Sequence, residues 1–212
     1  MARIPTETPK KPKPAAWQPE MFVLPPIIDD LKFAVLRREF NGLTNSASEF
    51  VHKKLHPFQP TRGANDPPGR IWRPTSAKSE VLLPVGVSDL LTRPCLLLAE
   101  FEAQAVEPKD LVIAVKLTFD DKIPLHESWE QARLFARVVL ADKFELPTIL
   151  AMHAPFLSAI RNPNSVHVHV MALARKLTAD KFRSFSELAC DSGQEVLVTA
   201  WQDMKTQFRK RA

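Results

Sequence analysis

The chain of 212 residues contains no tyrosine, so no phenolic hydroxyl within it can serve as a nucleophile. It has only five glycines, and the glycine-rich loops that cradle phosphates are absent, as is the GxSxG pattern. Its two cysteines, Cys95 and Cys190, lie far apart, which excludes a clustered zinc site and favours a reduced, cytoplasmic protein. No apolar run reaches about 18 residues, so we expect neither a transmembrane helix nor a membrane partner.

The composition that remains is that of an ordinary globular protein. Hydrophobic residues make up 45% of the chain and charged residues 25%. The formal net charge is +5, which is compatible with a polyanionic partner but does not require one.

Three segments differ in composition. Residues 1–20 are rich in proline and lysine and are predicted to form a disordered tail. Residues 21–79 are predicted to be a helical segment followed by a long loop, with Asn41-Gly42 ending a first helix and Asn45 or Ser46 capping a second. Residues 80–212 carry the remaining periodic patterns and are predicted to form the core.

The patterns after residue 80 predict a single α+β domain with a mainly antiparallel central sheet and flanking helices. Residues 111–119 alternate as a half-buried strand, whereas residues 96–101 fit either a strand or a helix. Residues 128–143 form an amphipathic helix whose capping box would be Ser128 and Gln131. A second amphipathic helix is predicted for residues 195–211.

Three of the six histidines fall in one short stretch. In the strand that begins near residue 166, His167 and His169 are two positions apart and therefore point to the same face. His153 ends the preceding strand-like run. If the two strands pair, three imidazoles converge on one point, as in a metal site with open positions. A half-exposed polar strand face is the plainer alternative.

The ordered set of His153, Asn162-Pro163, His167, His169 and Arg175 resembles the MobA/MobL family of plasmid mobilisation relaxases, within the HUH endonuclease class. The resemblance spans roughly residues 80–205 and is most specific over 147–175. It implies a relaxase-like fold, and it implies that the three histidines hold a divalent metal ion, Mg²⁺ or Mn²⁺. It further implies nicking of single-stranded plasmid DNA at a transfer origin, together with accessory mobilisation proteins.

The family's nucleophile is an early tyrosine, and here the chain departs from the pattern. Its nearest counterpart is Phe50, which cannot attack phosphorus. Ser46 and Ser48 carry hydroxyls, but neither has an evident partner base. Tyrosine chemistry is therefore predicted to be lost, while metal and DNA binding are retained. The predicted DNA contacts are Arg70, Trp72 and Arg73 in the long loop, and Arg175.

Two alternatives stay open from the sequence. In the first, the chain is a non-catalytic DNA-binding accessory or a decayed relaxase, and its basic groups alone bind phosphate. In the second, it is an unrelated metallohydrolase with three histidines and a carboxylate base. The carboxylates available for that role are Glu100, Glu102, Asp120 and Asp121.

Overall fold

In this computed structural model the residues described are 21–57, 72–104, 109–154 and 166–209. The predicted tail 1–20 lies outside them. Along the chain the elements are β1 (Phe22–Val23), β2 (Leu31–Arg37), β3 (Glu39–Phe40), β4 (Leu43–Thr44), α1 (Ala47–Leu55), β5 (Lys78–Leu82), α2 (Pro94–Glu102), β6 (Asp110–Thr118), α3 (Leu125–Phe135), β7 (Thr148–His153), β8 (His167–Leu173), β9 (Arg175–Thr178), β10 (Lys181–Phe185) and α4 (Asp191–Arg209).

Six strands form the central sheet in the order β1-β2-β6-β8-β7-β5, and each neighbouring pair is antiparallel. Strands from residues 21–82 therefore lie in the same sheet as those from the second half of the chain. This single α+β domain with an antiparallel sheet confirms the predicted fold class. Within the described residues, no helix has both the length and the apolar character needed to span a lipid bilayer.

The two faces of the sheet bury different sets of side chains. One face packs Phe33, Val115 and Val170 against α3 and α4, whose Trp129 and Trp201 are buried there. The other face packs its apolar residues, at one end, against α1 and α2. At the opposite end of this second face the side chains become polar, and that end carries the histidines.

The first of the two helices predicted within residues 21–79 is wrong. Residues 31–37 form β2, which pairs with β6 along its length. Asn41 and Gly42 adopt positive φ angles of 49° and 77° in the tight turn between β3 and β4, so they close a hairpin instead of ending a helix. The second predicted helix is confirmed as α1, and the Ser46 hydroxyl caps it by accepting a hydrogen bond from the Glu49 amide.

Helix boundaries differ from the sequence patterns in instructive ways. Residues 94–102 form a helix, which settles the alternative left open for 96–101. Helix α3 begins at Leu125, so Ser128 lies inside it with a buried, unpartnered hydroxyl, and the predicted capping box is wrong. Beyond Phe135 the helix continues as a π-helix from Ala136 to Lys143. The β9–β10 hairpin was not predicted.

Candidate metal centre

Two paired strands bring the three predicted histidines together. In the β7–β8 register His153 lies directly opposite His167, and Ala151 lies opposite His169. The three imidazole rings have centroids 4.7 to 5.1 Å apart. One ring nitrogen from each residue can be chosen so that all three atoms lie within 4.8 Å of one another. Two nitrogens bound to one ion at about 2.0–2.1 Å each lie at most about 4.2 Å apart, so the rings would draw together by up to roughly 0.6 Å for all three to bind one ion.

A main-chain carbonyl sets the orientation of His153. Its Nε2 lies 2.7 Å from the carbonyl oxygen of Lys54, near the C-terminal end of α1. A carbonyl can only accept, so Nε2 carries the proton and Nδ1 is left with a free lone pair. An outer hydrogen bond that fixes the tautomer of a ligand histidine is a common feature of metal sites. In this arrangement His153 would bind a metal through Nδ1.

The surroundings favour the neutral form of these imidazoles. Burial lowers the pKa of His169 well below its ordinary value, and the nearby Lys54 and the other two histidines lower it further. Burial also lowers the pKa of His153, outweighing the opposite effect of the Lys54 carbonyl. Because metal binding requires an unprotonated ring nitrogen, the site is ready to bind at neutral pH without a large proton cost.

The donor set narrows the choice of ion. Three nitrogens without a carboxylate suit Mn²⁺, Fe²⁺, Ni²⁺ or Zn²⁺ better than Mg²⁺, which prefers oxygen ligands and octahedral geometry. The residues present fit a first-row transition metal with positions left for an external ligand. Of the two ions expected from the sequence, Mn²⁺ fits better than Mg²⁺.

Lysines that were not among the predicted site residues border the histidines. Lys116 on β6 lies directly opposite His169, and Lys32 on β2 lies opposite Lys116. Lys54 approaches from α1. The alternation of the sequence predicts that Lys116 and Thr118 lie on one face of β6. That Lys116 lies beside His169 depends on the order of the strands in the sheet. The place of Lys54 depends on how α1 packs, for which the sequence has no local signal.

Phe50 lies in the apolar core between α1, α2 and the sheet, with a relative exposure of 1%. Ser46 and Ser48 both donate hydrogen bonds to the carboxylate of Glu102, at 2.9 and 2.8 Å. They lie at the N-terminal end of α1, about 10 Å of helix axis from Lys54. The two serines therefore join α1 to α2 and are remote from the histidines.

The structure describes three of the four predicted DNA contacts. Arg175 is buried in the β9–β10 hairpin, where its Nε donates to the Arg183 carbonyl at 2.7 Å and its guanidinium covers the Phe185 ring. It begins β9, beyond the end of the strand that carries His167 and His169. Trp72 is half-buried, with its ring edge-on to His52 at 4.9 Å.

Arg73 is exposed, and Arg70 and Asn162-Pro163 lie outside the described residues. Binding of DNA by Arg70, Trp72, Arg73 and Arg175 stays a prediction. The packing of Trp72 against α1 also fits an anchor for the chain segment that follows it.

The carboxylates considered for a metallohydrolase do not join the cluster of ligand atoms, which consists of histidines alone. Glu102 binds the two serines, and Asp120 accepts a hydrogen bond from the Lys122 amide at 2.9 Å. Glu100 and Asp121 are exposed. Nothing in the described part of the chain therefore favours the metallohydrolase alternative.

Comparison with known proteins supports the fold. No family model matches the chain, and no curated protein matches it. Among solved structures it is similar to one described as the "Molecular Basis of Vancomycin Resistance Transfer in Staphylococcus aureus". The two share 15% sequence identity and a TM-score of 0.53, over 65% of this chain and 72% of that chain. At this identity the similarity shows the fold alone, in agreement with the α+β arrangement expected from the sequence.

Proposed function

We propose that the chain is a relaxase-like domain that binds single-stranded plasmid DNA at a transfer origin. In this proposal His153, His167 and His169 hold a divalent metal ion against a DNA phosphate. The observation that carries it is the convergence of three imidazoles on one face of the sheet. The order of the motif and a fold shared with a protein of resistance transfer add support. Accessory mobilisation proteins are the partners that the proposal expects.

The residues around the histidines have defined tasks in this proposal. The Lys54 carbonyl accepts a hydrogen bond from His153 Nε2 and so leaves the lone pair of Nδ1 available to a metal ion. Burial keeps His153 and His169 unprotonated. A bound ion would supply Lewis-acid stabilisation of negative charge on a phosphate oxygen. Neighbouring lysines add positive charge on the same side.

Covalent transfer to tyrosine is not part of the proposal, because these 212 residues contain none. Phe50, the residue nearest to the nucleophile's place in the sequence, is packed in the apolar core. We therefore propose metal-dependent DNA binding and no phosphotyrosyl intermediate. A non-catalytic accessory that binds DNA through basic groups alone is the competing proposal.

Thermal unfolding with Mn²⁺, Ni²⁺ and Zn²⁺ tests the metal centre. The chain is compared with a variant in which His153, His167 and His169 are all alanine. A metal that binds only the folded state stabilises it by about 2.7 kcal/mol at a hundredfold excess over its dissociation constant. The rise should vanish in the triple variant and persist in His126→Ala, since the His126 side chain is 80% exposed on α3. Absence of a rise in the parent chain would overturn the metal centre.

Fluorescence anisotropy with a labelled single-stranded oligonucleotide tests the DNA step. Affinity should increase when Mn²⁺ is added to the parent chain and should be insensitive to Mn²⁺ in the triple variant. Equal affinities in both proteins, with and without metal, would favour the non-catalytic accessory. Denaturing gels of the same mixtures would show a cut or protein-linked strand if the chain retained nicking activity.

A further inference from the structure

Two lysines of the sheet lie in one row with His169. Lys32, Lys116 and His169 occupy directly opposed positions on β2, β6 and β8, so their side chains share one face of the sheet. Adjacent strands are about 4.8 Å apart, so the row extends roughly 10 Å across three strands. Lys54 reaches the same region from α1, and Phe50 lies beneath its ammonium group.

These lysines repel one another and are partly withdrawn from water. Burial lowers the pKa of Lys54, and the charges of Lys53 and Lys116 lower it further. Burial and Lys32 lower the pKa of Lys116 in the same way. Among residues 21–57, 72–104, 109–154 and 166–209, no carboxylate forms an ion pair with Lys32, Lys54 or Lys116. The described residues thus hold positive charge here that none of their carboxylates offsets through an ion pair.

A divalent ion at the histidines would increase this positive charge. Lys116 lies directly opposite His169, and Lys54 lies beside His153, so the charges of both lysines would disfavour a cation bound at the histidines. An external anion that contacts the lysines would reduce both the repulsion among the lysines and their repulsion of a bound metal ion. Lys32 is exposed and Lys116 is half-buried, so an anion could approach from solvent.

We propose that Lys32, Lys116 and Lys54 form a phosphate-binding row for the backbone of single-stranded DNA. This phosphate row and a metal at the histidines raise each other's affinity for their ligands, as reciprocal coupling requires. The inference rests on the proposed function. It adds the phosphate row as a second binding site and couples its affinity for DNA to the affinity of the histidines for metal. The ligand is a phosphodiester chain, because it presents phosphates to the lysines and to the metal at once.

Because of this coupling, Lys116→Met should change the affinities for Mn²⁺ and for DNA in opposite directions. Removal of its charge should tighten Mn²⁺ binding to the DNA-free protein, since one repulsive cation is gone. The same change should weaken binding of a ten-residue oligothymidylate. The slope of log affinity against log salt should fall by about 0.7, the value for one phosphate contact on a single strand. A lysine whose role is purely structural would not move the two affinities in opposite directions.

The experiment measures Mn²⁺ affinity by calorimetry and oligothymidylate affinity by anisotropy, with and without Mn²⁺. In the parent chain Mn²⁺ should raise oligothymidylate affinity by about fivefold or more, and this gain should shrink in Lys116→Met and Lys32→Met. Lys181→Met is the matched control, because Lys181 is exposed on β10 and its loss changes the net charge equally. It should leave the Mn²⁺ affinity and the salt slope at the parent values.

The outcomes separate this inference from the proposed function. If Mn²⁺ binds but Lys116→Met behaves like Lys181→Met, the phosphate row is wrong and the metal centre stands. If no metal binds but Lys116→Met still lowers the salt slope, the row stands as a DNA contact and the coupling is overturned. Methionine keeps the length of the side chain and removes a half-buried charge, so both lysine variants should fold; their thermal unfolding is checked first.

Discussion

The two faces of the sheet differ in whether their positively charged side chains form ion pairs. Beside the face covered by α3 and α4, Arg133 and Lys205 have carboxylate partners. Arg133 Nε lies 2.7 Å from Glu80 Oε2, and Lys205 Nζ lies 2.6 Å from Asp30 Oδ2. On the other face, Lys116 lies among histidines and lysines, and no carboxylate of the described residues pairs with it. These two cations of the first face are paired within the protein, whereas Lys116 on the second face has no carboxylate partner among the described residues.

The largest effect should come from the apolar face. Phe135 is fully buried, and its ring centroid lies 5.4 Å from that of Trp201. Phe135→Ala should lower the free energy of unfolding by about 3–5 kcal/mol, because it removes buried area and leaves a cavity. Urea unfolding measures this change. The Mn²⁺ affinity of the folded variant should equal that of the parent, and a parallel loss would show that the two faces are not independent.

Phe50→Tyr tests whether a tyrosine at position 50, on the second face, can attack DNA as a nucleophile. Phe50 is buried among apolar side chains, so an added hydroxyl without a partner should destabilise the fold by about 1–3 kcal/mol. We expect no covalent protein–DNA product on a denaturing gel. Phe101→Tyr, in the same apolar cluster, is the control for the cost of a buried hydroxyl. A stable Phe50→Tyr protein that formed such a product would place position 50 at the reactive centre.

The pH dependence of stability should come from the second face. The folded-state pKa values of His153 and His169 lie below the ordinary 6.5, so the unfolded chain takes up protons first as pH falls. Stability of the metal-free protein should therefore be constant above about pH 6.5 and decrease below it. Each histidine contributes a slope of at most about 1.4 kcal/mol per pH unit.

Urea unfolding in the presence of a chelator, between pH 5 and 8, measures this slope. The double variant His153→Gln/His169→Gln should flatten it, whereas His126→Gln should not, since His126 is on the surface. A parent chain that became more stable on acidification would contradict the assignment of neutral imidazoles in the folded state.

The smallest effect should come from the ion pair beside the apolar face. Arg133 and Glu80 are both about one-third exposed, so water screens their attraction. A double-mutant cycle with Glu80→Gln and Arg133→Met should give a coupling energy of about 0.2–1 kcal/mol. A coupling above this range would mean that paired charges contribute to stability here as buried pairs do.

The clustering of the three histidines was predictable because it needs little tertiary information. The alternation of Val166, His167, Val168 and His169 places both imidazoles on one face, and the only further requirement is that β7 pairs with β8. Two consecutive strands usually do pair. The histidines were therefore available from local pattern alone.

The parts that could not be predicted depend on contacts between distant segments. Lys54 meets His153 only because α1 packs over the sheet, and Lys116 meets His169 only because β6 lies beside β8. The error at β2 has a local cause. Leu31, Phe33 and Val35 alternate as in a strand, but Leu36 is also buried, so the apolar spacing matched a helix as well. Asn41-Gly42 was the hairpin signal that favours the strand.

The pairing of β7 with β8 also has a consequence for the time course of folding. His153 and His167, the pair nearest the β7–β8 connection, are fourteen positions apart in sequence, whereas Arg37 and Asp110, the corresponding pair of β2 and β6, are 73 apart. By the loop-closure relation, the shorter connection saves roughly 1.5 kcal/mol of chain entropy. The three histidines are thus brought together once the less costly of these two strand pairs has formed. If that pair forms by the folding transition state, a metal ion that binds the histidines should accelerate refolding as well as slow unfolding.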